Sequence, residues 1–133
     1  MTQEHKAEPL RILVVEDDPS TQFLMSEMLG SLGHECDVAP DGFACLERLE
    51  RQPGIFDLIL MDLHMPRRSG LEVSKDIRAI QQDPPRGLPI VAVTADSNYR
   101  SLISLAPYGF DDVLPKPVDL NRLGRMIERN VAT

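Results

Sequence analysis

Five short apolar runs, each followed by a stretch of helical periodicity, constrain this chain more than any other feature. The runs are Arg11 to Glu16, Glu35 to Ala39, Phe56 to Met61, Pro89 to Thr94 and Asp112 to Pro115. A strand–helix unit repeated five times predicts parallel strands joined by right-handed crossovers, with helices covering both faces of one sheet. The expected fold class is α/β: a (βα)5, doubly wound, five-stranded parallel sheet in a three-layer sandwich. At 133 residues the chain has room for one such domain and not for two.

The helix ends carry their own signals. Asp18 suits the N-cap of the first helix, Pro19 its first position and Gly33 its left-handed terminus. Leu24, Met25, Met28, Leu29 and Leu32 are spaced to form its apolar face. Asp41 caps the second helix, which runs through Phe43, Leu46 and Leu49. Ser69-Gly70-Leu71-Glu72 has the form of a capping box, so the third helix starts there and runs to about Gln81. In the fourth, Tyr99, Leu102, Ile103 and Ala106 fall at i, i+3, i+4 and i+7, and Pro107 sets its end. Asp119 caps the last helix, whose Leu120, Leu123, Ile127 and Val131 face the sheet. Residues 1–9 read as a mobile leader ending at Pro9, and residues 10–130 as the domain.

Charge and composition narrow the function. The formal charge of −7 and the absence of a basic face speak against nucleic acid. There is no signal-peptide pattern and no run of membrane-spanning length, which makes the cytoplasm the expected compartment. Cys36 and Cys45 lack CxxC spacing and a histidine cluster, and read as two reduced thiols.

A parallel sheet gathers the carboxyl ends of its strands on one edge. Here those ends bring Glu16, Asp17 and Asp18, then Asp62, then Thr94, then Lys116. Asp62 closes the strand in FDLILMD and precedes a loop stiffened by Pro66. In open α/β sheets this edge is where chemistry sits. Clustered carboxylates repel one another, and a bound cation is the common relief. Oxygen donors without a histidine or cysteine cluster favour Mg²⁺ over zinc, and over Ca²⁺ because no EF-hand loop is present. A nucleotide-binding reading is poor: the turn after the first strand is EDDPS, where phosphate cradles need glycines.

The stretches ILVVEDDP, LILMDLHMP, VAVTA and LPKPV, in that order at the strand ends, resemble the receiver domain of two-component response regulators from about Leu10 to Asn130. The resemblance implies a CheY-like, flavodoxin-like sheet of strand order 2-1-3-4-5. It implies that Asp62 accepts a phosphoryl group from a phosphohistidine with Mg²⁺ present. Glu16, Asp17, Asp62 and the backbone carbonyl of His64 would form the metal site, with Asp18 left as a helix cap. Thr94 and Lys116 would hold phosphoryl oxygens, and Lys116-Pro117 would be cis. The implied partners are a histidine kinase or histidine phosphotransfer protein, with a downstream partner on the face of helix four, strand five and helix five. His64 and Asp96 occupy positions that tune the lifetime of the acyl phosphate.

Two departures stand out. Val113, three residues before Lys116, replaces the usual Tyr or Phe, so the aromatic readout on strand five lacks its ring. Arg67 and Arg68 follow Pro66, as a solvated loop or a basic pair that could meet an acidic donor surface. The chain fits a stand-alone receiver or one excised from a hybrid histidine kinase. An enzyme such as an aspartyl-phosphate phosphatase fits less well: it needs a second acid two residues after the nucleophile, where His64 stands, and a substrate-enclosing cap. A receiver acts on itself, through its own phosphorylation and hydrolysis. A degenerate scaffold conflicts with the full set Glu16, Asp17, Asp62, Thr94 and Lys116.

Overall fold

The computed structural model describes residues 8–131, so most of the expected leader lies outside the described residues. The chain forms β1 (Arg11–Val15), α1 (Pro19–Ser31), β2 (Glu35–Ala39), α2 (Gly42–Arg51), β3 (Leu58–Asp62), α3 (Gly70–Arg78), β4 (Ile90–Thr94), α4 (Leu102–Leu105), β5 (Asp112–Pro115) and α5 (Leu120–Asn130). All strands pair in parallel in the order β2-β1-β3-β4-β5. The expected fold class and strand order are both observed.

The central strands are apolar on both faces because helices cover both. Leu13, Val15, Ile59, Met61, Ile90 and Ala92 point into one core, closed by Cys45 and Leu49 of α2, Val73 and Ile77 of α3, and Leu105 of α4. Their alternates Ile12, Val14, Leu58, Leu60, Val91 and Val93 point into a second core under α1 and α5. This period of two is the pleat itself. The caps at Asp18, Asp41, Ser69 and Asp119 all form, and Glu72 completes the capping box. Each such cap contributes about 1 kcal/mol by satisfying an orphan N–H. Gly33 takes the left-handed terminus at φ 88°.

Several element expectations need correction. The third strand starts two residues later and ends one later, with Asp57 turning its carboxylate to the Arg11 N–H (2.8 Å) before the ladder begins. Helix α3 stops at Arg78, short of Gln81. Leu24 and Phe43 are 48% and 58% exposed and lie off the buried faces of their helices, and Leu120 is also exposed. The fourth helix departs most. A 3-10 turn, Ser97–Tyr99, precedes four helical residues, and a second 3-10 turn, Ala106–Tyr108, follows. Ser101 breaks the run by capping Ile103 N–H, and Ile103 is 87% exposed while Leu105 holds the core.

At the edge of the sheet remote from Asp62, Arg78 acts as a brace. Its Nε donates to Gly109 O (2.9 Å), one terminal nitrogen to Leu88 O (2.7 Å), and the other pairs with Asp111 (2.8 Å). Gly109 sits at φ 96°, and a Cβ there would lie 2.6 Å from the Arg78 side chain. This is a position only glycine fills without strain.

His34 ties the same edge, its Nδ1 accepting from Leu10 N–H at 3.1 Å. Burial lowers its pKa from the usual 6.5, with Asp57 pulling the other way. A histidine whose folded pKa lies below its unfolded value stabilises the fold fully above the unfolded value. That contribution is lost as pH falls from there toward the folded value. Urea midpoints should therefore drop as pH is lowered from about 7.5 to about 5.5. His34→Gln, whose amide oxygen can still accept from Leu10, should flatten that slope. An unchanged slope would assign the effect elsewhere.

Candidate functional site

Glu16 follows β1 and keeps the parity of Ile12 and Val14. Asp62 keeps that of Leu58 and Leu60. Both carboxylates therefore turn toward the α1 and α5 side of the sheet edge, and both are buried, Asp62 being 6% exposed. Asp17, exposed, completes the group: a ligand oxygen from each of the three acids lies within 4.8 Å of the others. Glu16 is anchored three ways. Its Oε2 accepts from Asp18 N–H (3.1 Å), its carbonyl from Gln22 Nε2 (2.7 Å), and its Oε1 from Lys116 Nζ (3.2 Å).

Lys116 reaches this group from the turn after β5, where Lys116-Pro117 is cis as expected. Its N–H donates to Thr94 O (2.9 Å), which fixes where the side chain starts. Nζ lies 3.5 Å from Asp62 Oδ1. Burial acts to lower its pKa, but the charges of Asp62 and Glu16 outweigh this and raise it, so the ammonium is retained. Glu16 is raised, first by burial and then by the Asp62 charge, against the opposing Asp18 N–H and Lys116. One lysine thus faces three carboxylates. Removing that excess of negative charge takes a cation, and carboxylate oxygens are the donors a hard divalent ion prefers.

Asp96 and His64 stand at the rim of the pocket. His64 Nε2 lies 2.8 Å from Asp96 Oδ2, which holds the ring against Asp96. The main-chain N–H of His64 donates to Asp62 Oδ1 at 3.3 Å. Thr94 keeps the opposite parity from Asp62, is buried, and its Oγ1 accepts from Asp96 N–H (3.0 Å). The open pocket is lined by Glu16, Asp17, Asp62, His64, Asp96 and Lys116. The sheet thus brings Glu16, Asp17, Asp62 and Lys116 together, with Thr94 at the same edge but turned aside. Asp18 serves as a cap, accepting from Thr21 N–H (2.9 Å) and Thr21 Oγ1 (2.8 Å).

Other contacts had no sequence signal. Arg67 pairs with Asp41 (3.0 Å) and lies over the Phe43 ring, while Arg68 forks onto Asp76 (2.7 and 2.8 Å). The two arginines are therefore committed within the domain. The bridge between His64 and Asp96, 32 residues apart, was equally hidden. Val113 is half-buried and packs on the α2–α4 core. Cys45 is buried, its thiol pushed up to about 12, and burial also raises Cys36.

A family model described as the response regulator receiver domain matches residues 12–128. The chain is 32% identical to the transcription factor SKN7 of Chaetomium thermophilum over 92% of its length, and 34% identical to the peroxide stress-activated histidine kinase mak1 of Schizosaccharomyces pombe over 96%. It spans only 15% and 8% of those two proteins. Among solved structures, the receiver domain of a Pseudomonas aeruginosa sensor histidine kinase, with a magnesium ion coordinated in its active-site cleft, superposes with TM-score 0.82. That match has 34% identity and covers 94% of this chain and 99% of the other. The chemotaxis protein CheY4 of Vibrio cholerae gives TM-score 0.81 at 26% identity, covering 92% and 99%.

Proposed function

The chain belongs to the response regulator receiver domain family, and on that premise we propose that Asp62 is the phosphoacceptor of a two-component phosphorelay. One observation carries the reading: a buried strand-end carboxylate sits between two further acids and a lysine ammonium 3.5 Å away. In the reaction an Asp62 carboxylate oxygen forms a bond to phosphorus as the P–N bond of a phosphohistidine breaks. The imidazole leaves with that electron pair. Phosphoryl transfer asks mainly for positioning and charge neutralisation. Lys116 supplies the second at Asp62, and Thr94 Oγ, whose acceptor site is filled by Asp96 N–H, keeps a proton to donate to a phosphoryl oxygen.

The three-acid cluster fits Mg²⁺, which Glu16, Asp17, Asp62 and the His64 carbonyl would hold. Bound there, the ion would neutralise charge on the transferring oxygens. The domain, residues 10–130, would receive its phosphoryl group from a histidine kinase or a histidine phosphotransfer protein in the cytoplasm. Its output would pass through the face of α4, β5 and α5, and its chemistry would be confined to itself. No helix among the described residues is long and apolar enough to cross a membrane. The histidine-kinase relatives support a receiver of a larger sensor protein, with a stand-alone receiver as the other reading.

The test is intact mass after incubation with acetyl phosphate. One phosphoryl group should be added with Mg²⁺ and none with EDTA. A folded protein that gains no mass with Mg²⁺ would overturn the reading.

A further inference from the structure

Two loops flank Asp62, and both are tied to a single residue, Asp96, one through its main chain and one through its side chain. Its N–H donates to Thr94 Oγ1 (3.0 Å), and its Oδ2 meets His64 Nε2 (2.8 Å). Its other oxygen, Oδ1, caps the following turn by accepting from Asn98 N–H at 2.9 Å, and its carbonyl accepts from Tyr99 N–H at 3.0 Å. That turn is only three residues long, and Tyr99 is its last member, half-buried against the α2–α4 core. The next helix is four residues long, so the turn has little regular structure after it to hold it in place.

We propose that Asp96 passes the charge state of Asp62 to the turn Ser97–Tyr99, and that Tyr99 is the aromatic side chain that moves in response. This rests on Asp62 being the phosphoacceptor. The acyl phosphate carries about one and a half to two negative charges where the Asp62 carboxylate carried one, and carries them further out into a pocket that the Asp96 carboxylate already lines. Repulsion drives Asp96 outward. A Thr94 hydroxyl that turns toward phosphoryl oxygen withdraws from Asp96 N–H at the same time. Both effects act on one residue and remove the cap from one turn. β5 offers no comparable part, since Val113 packs on the core without a ring.

The chain contains no tryptophan and two tyrosines, Tyr99 and Tyr108. Incorporation of 3-fluorotyrosine into the full chain therefore gives two ¹⁹F resonances, and Tyr108→Phe assigns them. With acetyl phosphate and Mg²⁺, the Tyr99 resonance should shift in proportion to the phosphorylated fraction read by intact mass. In Asp96→Asn, which keeps a capping oxygen but no charge, the shift should fall to less than half. In Asp96→Ala, which has neither, Tyr99 should be displaced before phosphorylation. Phosphoryl mass gained with Tyr99 unmoved, or with only Tyr108 moving, overturns this inference and leaves Asp62 as acceptor. No mass gained overturns both.

Discussion

Asp62→Asn takes up no phosphoryl mass from acetyl phosphate in the presence of Mg²⁺, and without a divalent cation it melts no lower than the parent chain. The loss should be complete to the limit of detection, because the neutral amide removes the attacking carboxylate. The stability result follows from the surroundings of Asp62. It is buried beside Glu16 and Asp17, with Lys116 as the only cation close to it among the described residues. Removing one of three like charges relieves repulsion that the fold otherwise bears. The amide oxygen can still accept from His64 N–H. Equal phosphoryl uptake by parent and variant would show that another residue is the acceptor. A lower melting point would show that Asp62 is held mainly by attraction to Lys116.

Gly70→Ala should cost about 3 kcal/mol of stability, lowering Tm by roughly 10 °C in a domain of this size. A Cβ on Gly70 would stand 2.1 Å from the Asp62 carbonyl oxygen and 2.9 Å from Leu63 Cα, and both neighbours are main chain. Nothing flexible can yield, so either the start of α3 or the end of β3 must shift. The second would displace Asp62 itself. Gly30→Ala is the matching control. It lies in α1, nothing comes within 4 Å of the added carbon, and the change should raise stability by about 0.5–1 kcal/mol. Thermal melts of the two variants should move in opposite directions. A Gly70→Ala protein that melts like the parent would rule out the tight approach of α3 to the end of β3.

The same physics explains what could be read in advance. Glu16, Asp17, Asp62, Thr94 and Lys116 are scattered over a hundred residues, yet parallel strands have only one carboxyl edge, so strand assignment alone assembles them. Helix caps were equally readable because each is settled within four residues. Apolar spacing failed where it could not tell a covered face from a bare one. Leu24, Phe43 and Leu120 match the period but face outward. It failed most in α4, where Ile103 entered the pattern although Ser101 had already broken the helix. The state of Thr94 also lay beyond the sequence. Its oxygen accepts from Asp96 N–H, a contact two residues away that depends on how the loop turns. Pairing of Arg67 with Asp41, and of His64 with Asp96, joins loops that are adjacent only after the sheet has formed.

The Arg78 brace has a mechanical consequence. It pins the main chain at Gly109 and Leu88, beyond the far end of α4. The other end of that segment begins at Asp96, beside the pocket. With Gly109 clamped and Leu105 seated in the core, the part of the segment free to yield is the one before Leu105. If Asp96 transmits the state of Asp62 as proposed, displacement would be largest near Tyr99 and die away toward Leu105. The exposed Leu102 and Ile103 lie within that part. A small change at the pocket would thereby become travel of an apolar surface, while the sheet beneath keeps its register.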